Sequence, residues 1–78
     1  MASSLRDPRD RRIIDRLKVA RIAAGLSQQE LADNLGKPQS YIAKIEGYER
    51  HLDVLEFLLI GRCVGLDTAS LPKMIESK

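Results

Sequence analysis

Four side chains in the run "QSYIAKIE", residues 39 to 46, have chemistry that matches the edges of nucleobases. Gln39 can both donate and accept in a bidentate pair with adenine N6 and N7, and Lys44 can donate to guanine O6 and N7. Ser40 can serve either base, and Ala43 can touch a thymine methyl. At 100° per residue, Ser40, Ala43, Lys44 and the preceding Lys37 gather on one side of a helix, with Gln39 and Tyr41 flanking them. Ile42 and Ile45 fall on the opposite side. An ordinary solvated helix face has the same make-up, and composition alone does not choose between the two readings.

Nine residues from Pro38 make a helix that is marginal alone in water, because nucleation is costly and isolated helices below about 12 residues do not persist. Neighbouring elements must hold it. From Asp10 to Ala24 the residues Ile13, Leu17, Ala20 and Ala24, with Ile14 alongside, follow the spacing of one buried stripe on a first helix, and Gly25 caps it. Arg21 lies at the edge of that stripe and needs a partner.

"SQQE", residues 27 to 30, is a capping box that opens a second helix with Leu31, Ala32 and Leu35 inward. Gly36 closes it, and Pro38, suited to a first helical position, starts the third. Two helices of about eight residues joined by the short turn "GKP" have the spacing of a helix-turn-helix. Gly47 can stop the third helix. Asp53 with Glu56 three residues on opens a fourth helix from Val54 to Val64, ended by Gly65. That helix is apolar almost all round, so one face calls for a second subunit. A last helix near Ser70 to Glu76, with Leu71, Met74 and Ile75, serves the same purpose. The chain reads as all-α, with no repeat and no sustained strand-like alternation.

Seventy-eight residues allow one domain, with "MASSLRDPR", residues 1–9, as a loose arm and residues 10–78 as the folded part. The net charge is +2, distributed as +4 over residues 1–21, −2 over 22–36, +1 over 37–50 and −1 over 51–78. Such a balance allows an anionic partner without requiring one. Asp7 and Asp10 weaken the field of the basic front, which favours a solvated arm over one that tracks a duplex.

Cys63 is the only cysteine, so an internal disulfide and a thiol-rich zinc site are excluded, and the expected compartment is a reducing cytoplasm. A small buried apolar role suits this cysteine better than a reactive one. Neither a signal core nor a membrane-spanning stretch is present. His51 lacks a second His or Cys nearby, which disfavours a metal role, and no cofactor is expected. No nucleophile shares a face with a base and no phosphate-binding glycine loop follows a strand, so an enzyme is not expected.

The segment "RIAAGLSQQELADNLGKPQSYIAKIE", residues 21–46, resembles the helix-turn-helix of the phage repressor and Cro family, also called the XRE family of bacterial regulators. The matching features are "GLSQ", "ELA", the Gly36 turn and "QSYIAKIE", and the similarity continues through "LDVLEFLLIGRCVGLD". The resemblance implies a five-helix, lambda-repressor-like domain whose helix-turn-helix spans about residues 27–46, with the third helix in the DNA major groove. By position, Gln28 resembles a glutamine that contacts backbone phosphate and braces the first residue of the recognition helix, here Gln39. Arg21 and Glu46 match a partly buried ion pair of the family. The family commonly has glycine at the second position after that glutamate, where this chain has Tyr48. The cap is therefore expected one residue earlier, at Gly47.

These readings converge on a homodimeric bacterial or phage regulator, most simply a repressor, on a two-fold related double-stranded operator. Base contacts are expected from Gln39, Ser40, Ala43 and Lys44. Phosphate contacts are expected from Gln28, Lys37, Tyr41 and Arg50, with plain packing or solvation as the alternative for Tyr41, Lys37 and Arg50. Dimerisation is assigned to helices four and five, residues 54–78. The competing reading is a protein-interaction module on the same frame, such as an antitoxin or an accessory subunit.

Overall fold

The computed structural model describes residues 8–66, which form four α-helices and no strand: α1 (Pro8–Ala23), α2 (Gln28–Leu35), α3 (Gln39–Glu46) and α4 (Val54–Val64). The expected fifth helix, near residues 70–76, lies outside the described residues, as do residues 1–7 of the expected arm. Pro8 and Arg9, also placed in that arm, are instead the first turn of α1. Proline suits this position because its missing N–H would have no helical partner there and its φ is already helical.

Two capping boxes start helices where the sequence places them. Ser27 Oγ accepts from the Glu30 N–H at 3.0 Å while the Ser27 N–H donates to Glu30 Oε1 at 2.9 Å. Asp53 and Glu56 repeat the exchange at 2.7 and 3.1 Å. Pro38 differs from expectation by one position. It is the N-cap of α3, with φ −72° and ψ 156°, and contributes no side-chain cap.

All four helices end in the same doubly bonded motif, in which one residue turns left-handed and two successive N–H groups fold back onto the last turn. At α2 the Gly36 N–H donates to Asp33 O at 3.1 Å and the Lys37 N–H to Ala32 O at 2.9 Å, with Gly36 at φ +69°. At α3 the corresponding bonds run from Tyr48 to Ile45 at 3.1 Å and from Glu49 to Lys44 at 2.8 Å. The left-handed residue here is Tyr48, at φ +63°, and Gly47 stays at φ −87°. The expected earlier cap at Gly47 is therefore not what forms. The chain keeps the motif's length and accepts a Cβ in the strained region.

Tyr48 is held there by α1. Its hydroxyl donates to Asp15 Oδ1, and the Arg11 guanidinium lies 4.8 Å from its ring centroid. The hydrogen bond to Asp15 raises the Tyr48 hydroxyl pKa above its usual value, since ionisation would put two negative oxygens in contact.

The core is Ile14 and Leu17 of α1, Leu31 and Ala32 of α2, Ile42 and Ile45 of α3, and Phe57, Ile60 and Val64 of α4. The α1 stripe is rotated from expectation: Ala24 is exposed, and the buried line runs Ile14, Leu17, Arg21. Arg21 thus sits in the middle of the buried face, 9% exposed, and not at its edge. On α4 the buried face is Phe57, Ile60, Gly61 and Val64, while Val54, Leu55, Leu58 and Leu59 face outward, between 37% and 68% exposed. Cys63 is a free thiol, half-buried against the core.

Candidate nucleic-acid interface

The candidate surface begins in the core. Ile42 and Ile45 are 1% and 2% exposed, and with α2 and α1 packed against α3 the helix cannot rotate about its axis. Its other face then has to meet solvent. Gln39, Ser40 and Lys44 are exposed, Ala43 is half-buried, and Lys37 extends the exposed group from the turn. Neither the Ser40 nor the Lys44 side chain has a hydrogen-bond partner among the described residues.

A chain of hydrogen bonds joins this face to the buried charge on α1. Arg21 donates from Nε to Glu46 Oε2 at 2.7 Å and from Nη2 to Glu46 Oε1 at 3.0 Å, a bidentate fork, and from Nη1 to the Leu26 carbonyl at 2.7 Å. Gln28 Nε2 donates to the same Glu46 Oε1 at 2.9 Å, and Gln39 Nε2 donates to Gln28 Oε1 at 2.6 Å. With the pair's side chains only 10% and 7% exposed, these bonds answer the desolvation of both charges. No buried side-chain nitrogen or oxygen among the described residues lacks a partner.

A second cluster, which the sequence does not announce, centres on Glu56. Tyr41 Oη donates to Glu56 Oε2 at 2.7 Å, and Arg50 Nη1 donates to both Glu56 oxygens at 2.9 and 3.1 Å and to the His51 carbonyl at 3.1 Å. Arg50 and Lys37 also lie over the Tyr41 ring, at 4.8 and 5.4 Å from its centroid. Desolvation, and then the bond to Glu56, push the Tyr41 hydroxyl up to about 12. Burial acts to raise the Glu56 carboxyl, but hydrogen bonds from Tyr41, the Asp53 N–H and Arg50 outweigh it and leave its pKa below the usual range.

The structure thus sorts the expected phosphate group. Gln28 and Lys37 border the α3 face. The Tyr41 hydroxyl is engaged with Glu56, and Arg50 spends one of its three nitrogens there. The sequence marks Glu56 only as a helix cap. Its meeting with Tyr41 and Arg50 depends on how α3 and α4 are placed by their packing on α1 and α2.

The helix-turn-helix family model matches residues 17–70, which includes both helices of the motif and the turn between them. This chain belongs to the XRE-type helix-turn-helix family. Its fold is similar to an XRE-family like protein from Pseudomonas syringae pv. tomato str. DC3000, at 45% identity and a TM-score of 0.80, covering 88% of this chain and 84% of that one. It is also similar to the wild-type restriction-modification controller protein C.Esp1396I, at 21% identity and a TM-score of 0.77, covering 90% of this chain and 92% of that one; at that identity the likeness concerns the fold alone. No curated protein matches the chain. Proteins of the helix-turn-helix family bind double-stranded DNA.

Proposed function

We propose that the protein is a sequence-specific, homodimeric transcriptional regulator that inserts α3 into the major groove and acts as a repressor where its operator overlaps a promoter. The observation that carries this reading is the α3 face. Gln39, Ser40 and Lys44 project from a helix fixed by two buried isoleucines, and nothing among the described residues covers them. Ala43 supplies a methyl contact between them. Gln28 and Lys37 take phosphates beside the groove, joined by Arg50 through the two guanidinium nitrogens not bonded to Glu56. Tyr41 supports Arg50 and Lys37 by its ring and borders the backbone path.

The outward apolar line Val54, Leu55, Leu58 and Leu59 on α4 supports a two-fold dimer. Two third helices would then meet half-sites about 34 Å apart. The family, the absence of a catalytic grouping in the sequence and the intact DNA-reading face favour a regulator over an enzyme, working in a bacterial or phage-infected cytoplasm.

Selection of bound duplexes from a random pool tests this reading. A two-fold related site with fixed spacing is the expected result, and recovery of no enriched sequence would overturn it. The same α4 face favours the second reading, a protein-interaction module such as an antitoxin. That reading predicts partner binding that survives Gln39→Ala and Lys44→Ala together, in a chain without salt-dependent DNA affinity.

A further inference from the structure

Arg50 is held by one corner and left open along an edge. Nη1 alone donates to both Glu56 oxygens, at 2.9 and 3.1 Å, and to the His51 carbonyl at 3.1 Å. Nε and Nη2 make no hydrogen bond to any described residue, and the side chain is 38% exposed in spite of its ion pair. That open edge is the one with which a guanidinium grips an oxyanion by two parallel bonds. Arg21 uses the same edge on Glu46, from Nε at 2.7 Å and Nη2 at 3.0 Å. Glu56 leaves the corresponding fork of Arg50 unused. Its own place is fixed by other donors, since Oε1 accepts from the Asp53 N–H at 3.1 Å and Oε2 from the Tyr41 hydroxyl at 2.7 Å. The Tyr41 ring, 4.8 Å from Arg50 Cζ, limits the remaining freedom of the guanidinium, and the Lys37 ammonium lies 5.4 Å from the same centroid.

We propose that Glu56 is a positioning residue for DNA binding, aiming the Nε and Nη2 edge of Arg50 at one backbone phosphodiester, with Lys37 as the second cation. This rests on the reading that the chain binds duplex DNA. The carboxylate does not meet the DNA, and its own charge repels it. What it contributes is order. An exposed arginine loses rotamer freedom when it grips a phosphate, and a guanidinium already fixed by a ring and by a carboxylate that Tyr41 and Asp53 hold has less to lose.

Charge alone predicts the opposite. A carboxylate near a phosphate raises the electrostatic energy of the complex, so on that basis its removal tightens binding. Removal weakens binding if the carboxylate aims Arg50. Glu56→Gln separates the two cases with little disturbance to the helix start. The Asp53 N–H keeps the amide oxygen in place, and the amide nitrogen then faces Arg50 Nη1, donor against donor.

The test is fluorescence anisotropy at low salt with the full chain and a labelled duplex of arbitrary sequence, because phosphate contacts carry no sequence information. The chains are wild type, Arg50→Ala, Glu56→Gln, Glu56→Ala and the two Glu56 variants combined with Arg50→Ala, each checked for folding by circular dichroism. Both single Glu56 variants are expected to bind roughly threefold to tenfold more weakly than wild type, of the order set by ordering one long side chain. In the Arg50→Ala background the same substitutions leave affinity unchanged or raise it, because only the repulsion remains. A merely structural role would weaken binding in both backgrounds. Equal losses in the two backgrounds, single Glu56 variants that bind as well as wild type or better, or an Arg50→Ala chain with wild-type affinity each overturn the proposal while DNA binding stands. A wild-type chain with no salt-dependent affinity for duplex DNA overturns both. If Glu56→Ala does not fold, Glu56→Gln, which retains the cap, decides alone.

Discussion

Tyr41 on α3 donates its hydroxyl to Glu56 on α4 at 2.7 Å, so α3 is tied to the helix that carries the outward apolar line. Both groups titrate away from their usual ranges: desolvation and then the bond to Glu56 raise Tyr41, and hydrogen bonds from Tyr41, the Asp53 N–H and Arg50 lower Glu56 against the effect of burial. Glu56 is depressed below 4.5, so its contribution to stability is present above that pH and disappears as pH falls through its lower folded value. Tyr41 is raised from 10.0 to about 12, so its contribution is intact below pH 10 and is lost as pH rises toward 12. A tyrosine absorbance titration is expected to show one phenol with a midpoint near 12, absent in Tyr41→Phe. Glu56→Gln should flatten the acid limb of a stability–pH profile and bring the Tyr41 midpoint down. A Tyr41 midpoint that ignores Glu56→Gln would break the link.

The Arg21–Glu46 pair makes a stability prediction with a built-in control. Arg21→Met or Glu46→Ala leaves one charge buried and unpaired, at a cost of ~3–5 kcal/mol, a large share of what a domain this small holds. Urea unfolding of each single variant is expected to show this loss. A double replacement by apolar residues of similar volume should cost much less than the two singles summed, since it leaves no orphaned charge. Additive costs would show that the pair is not coupled as the 2.7 Å contact requires.

Charges on and beside the exposed α3 face are expected to separate by salt dependence. Lys37→Ala is expected to weaken binding to all sequences alike and to reduce the slope of log affinity against log salt by about one unit. Lys44→Ala is expected to cost ~1–3 kcal/mol on the preferred site and to relax the preference at a guanine. Fluorescence anisotropy with a labelled duplex at several salt concentrations measures both. A Lys44→Ala chain with an unchanged sequence preference would remove Lys44 from the reading set.

The α4 face predicts an association state. Leu55→Glu and Leu58→Glu place charges on the outward apolar line without entering the core, because Leu55 is 63% and Leu58 37% exposed. Sedimentation equilibrium should find twice the 8.8 kDa chain mass for wild type and the single mass for the variants. DNA affinity should fall with it, since two half-sites are then engaged independently. A wild-type monomer at tens of micromolar would count against the interface.

Much of the scaffold could be read locally. Capping boxes at Ser27 and Asp53, the turn at Gly36 and the isoleucine spacing of α3 depend on contacts within three or four residues, which spacing encodes directly. The same holds for the exposed side of α3, because opposite faces of one helix are related by a fixed angle. Apolar spacing alone sets the α1 stripe one step off, with Ala24 inward and Arg21 at the margin. Apolarity marks Ala24 as a core candidate, and only the partner Glu46, 25 residues away, makes it favourable to bury a guanidinium.

What residue order determined by itself, then, is which segments are helical, where they stop and which groups α3 turns outward, because those outcomes follow from short-range geometry. Tertiary structure alone decided the rest. It made Tyr48 the left-handed residue, since Asp15 and Arg11 of α1 were there to hold its ring. It gathered Tyr41 and Arg50 on Glu56, and it ran a line of donors and acceptors from Arg21 to Gln39. Each of these joins residues on different helices, whose distance is set by how the elements pack and leaves no periodic mark along the chain.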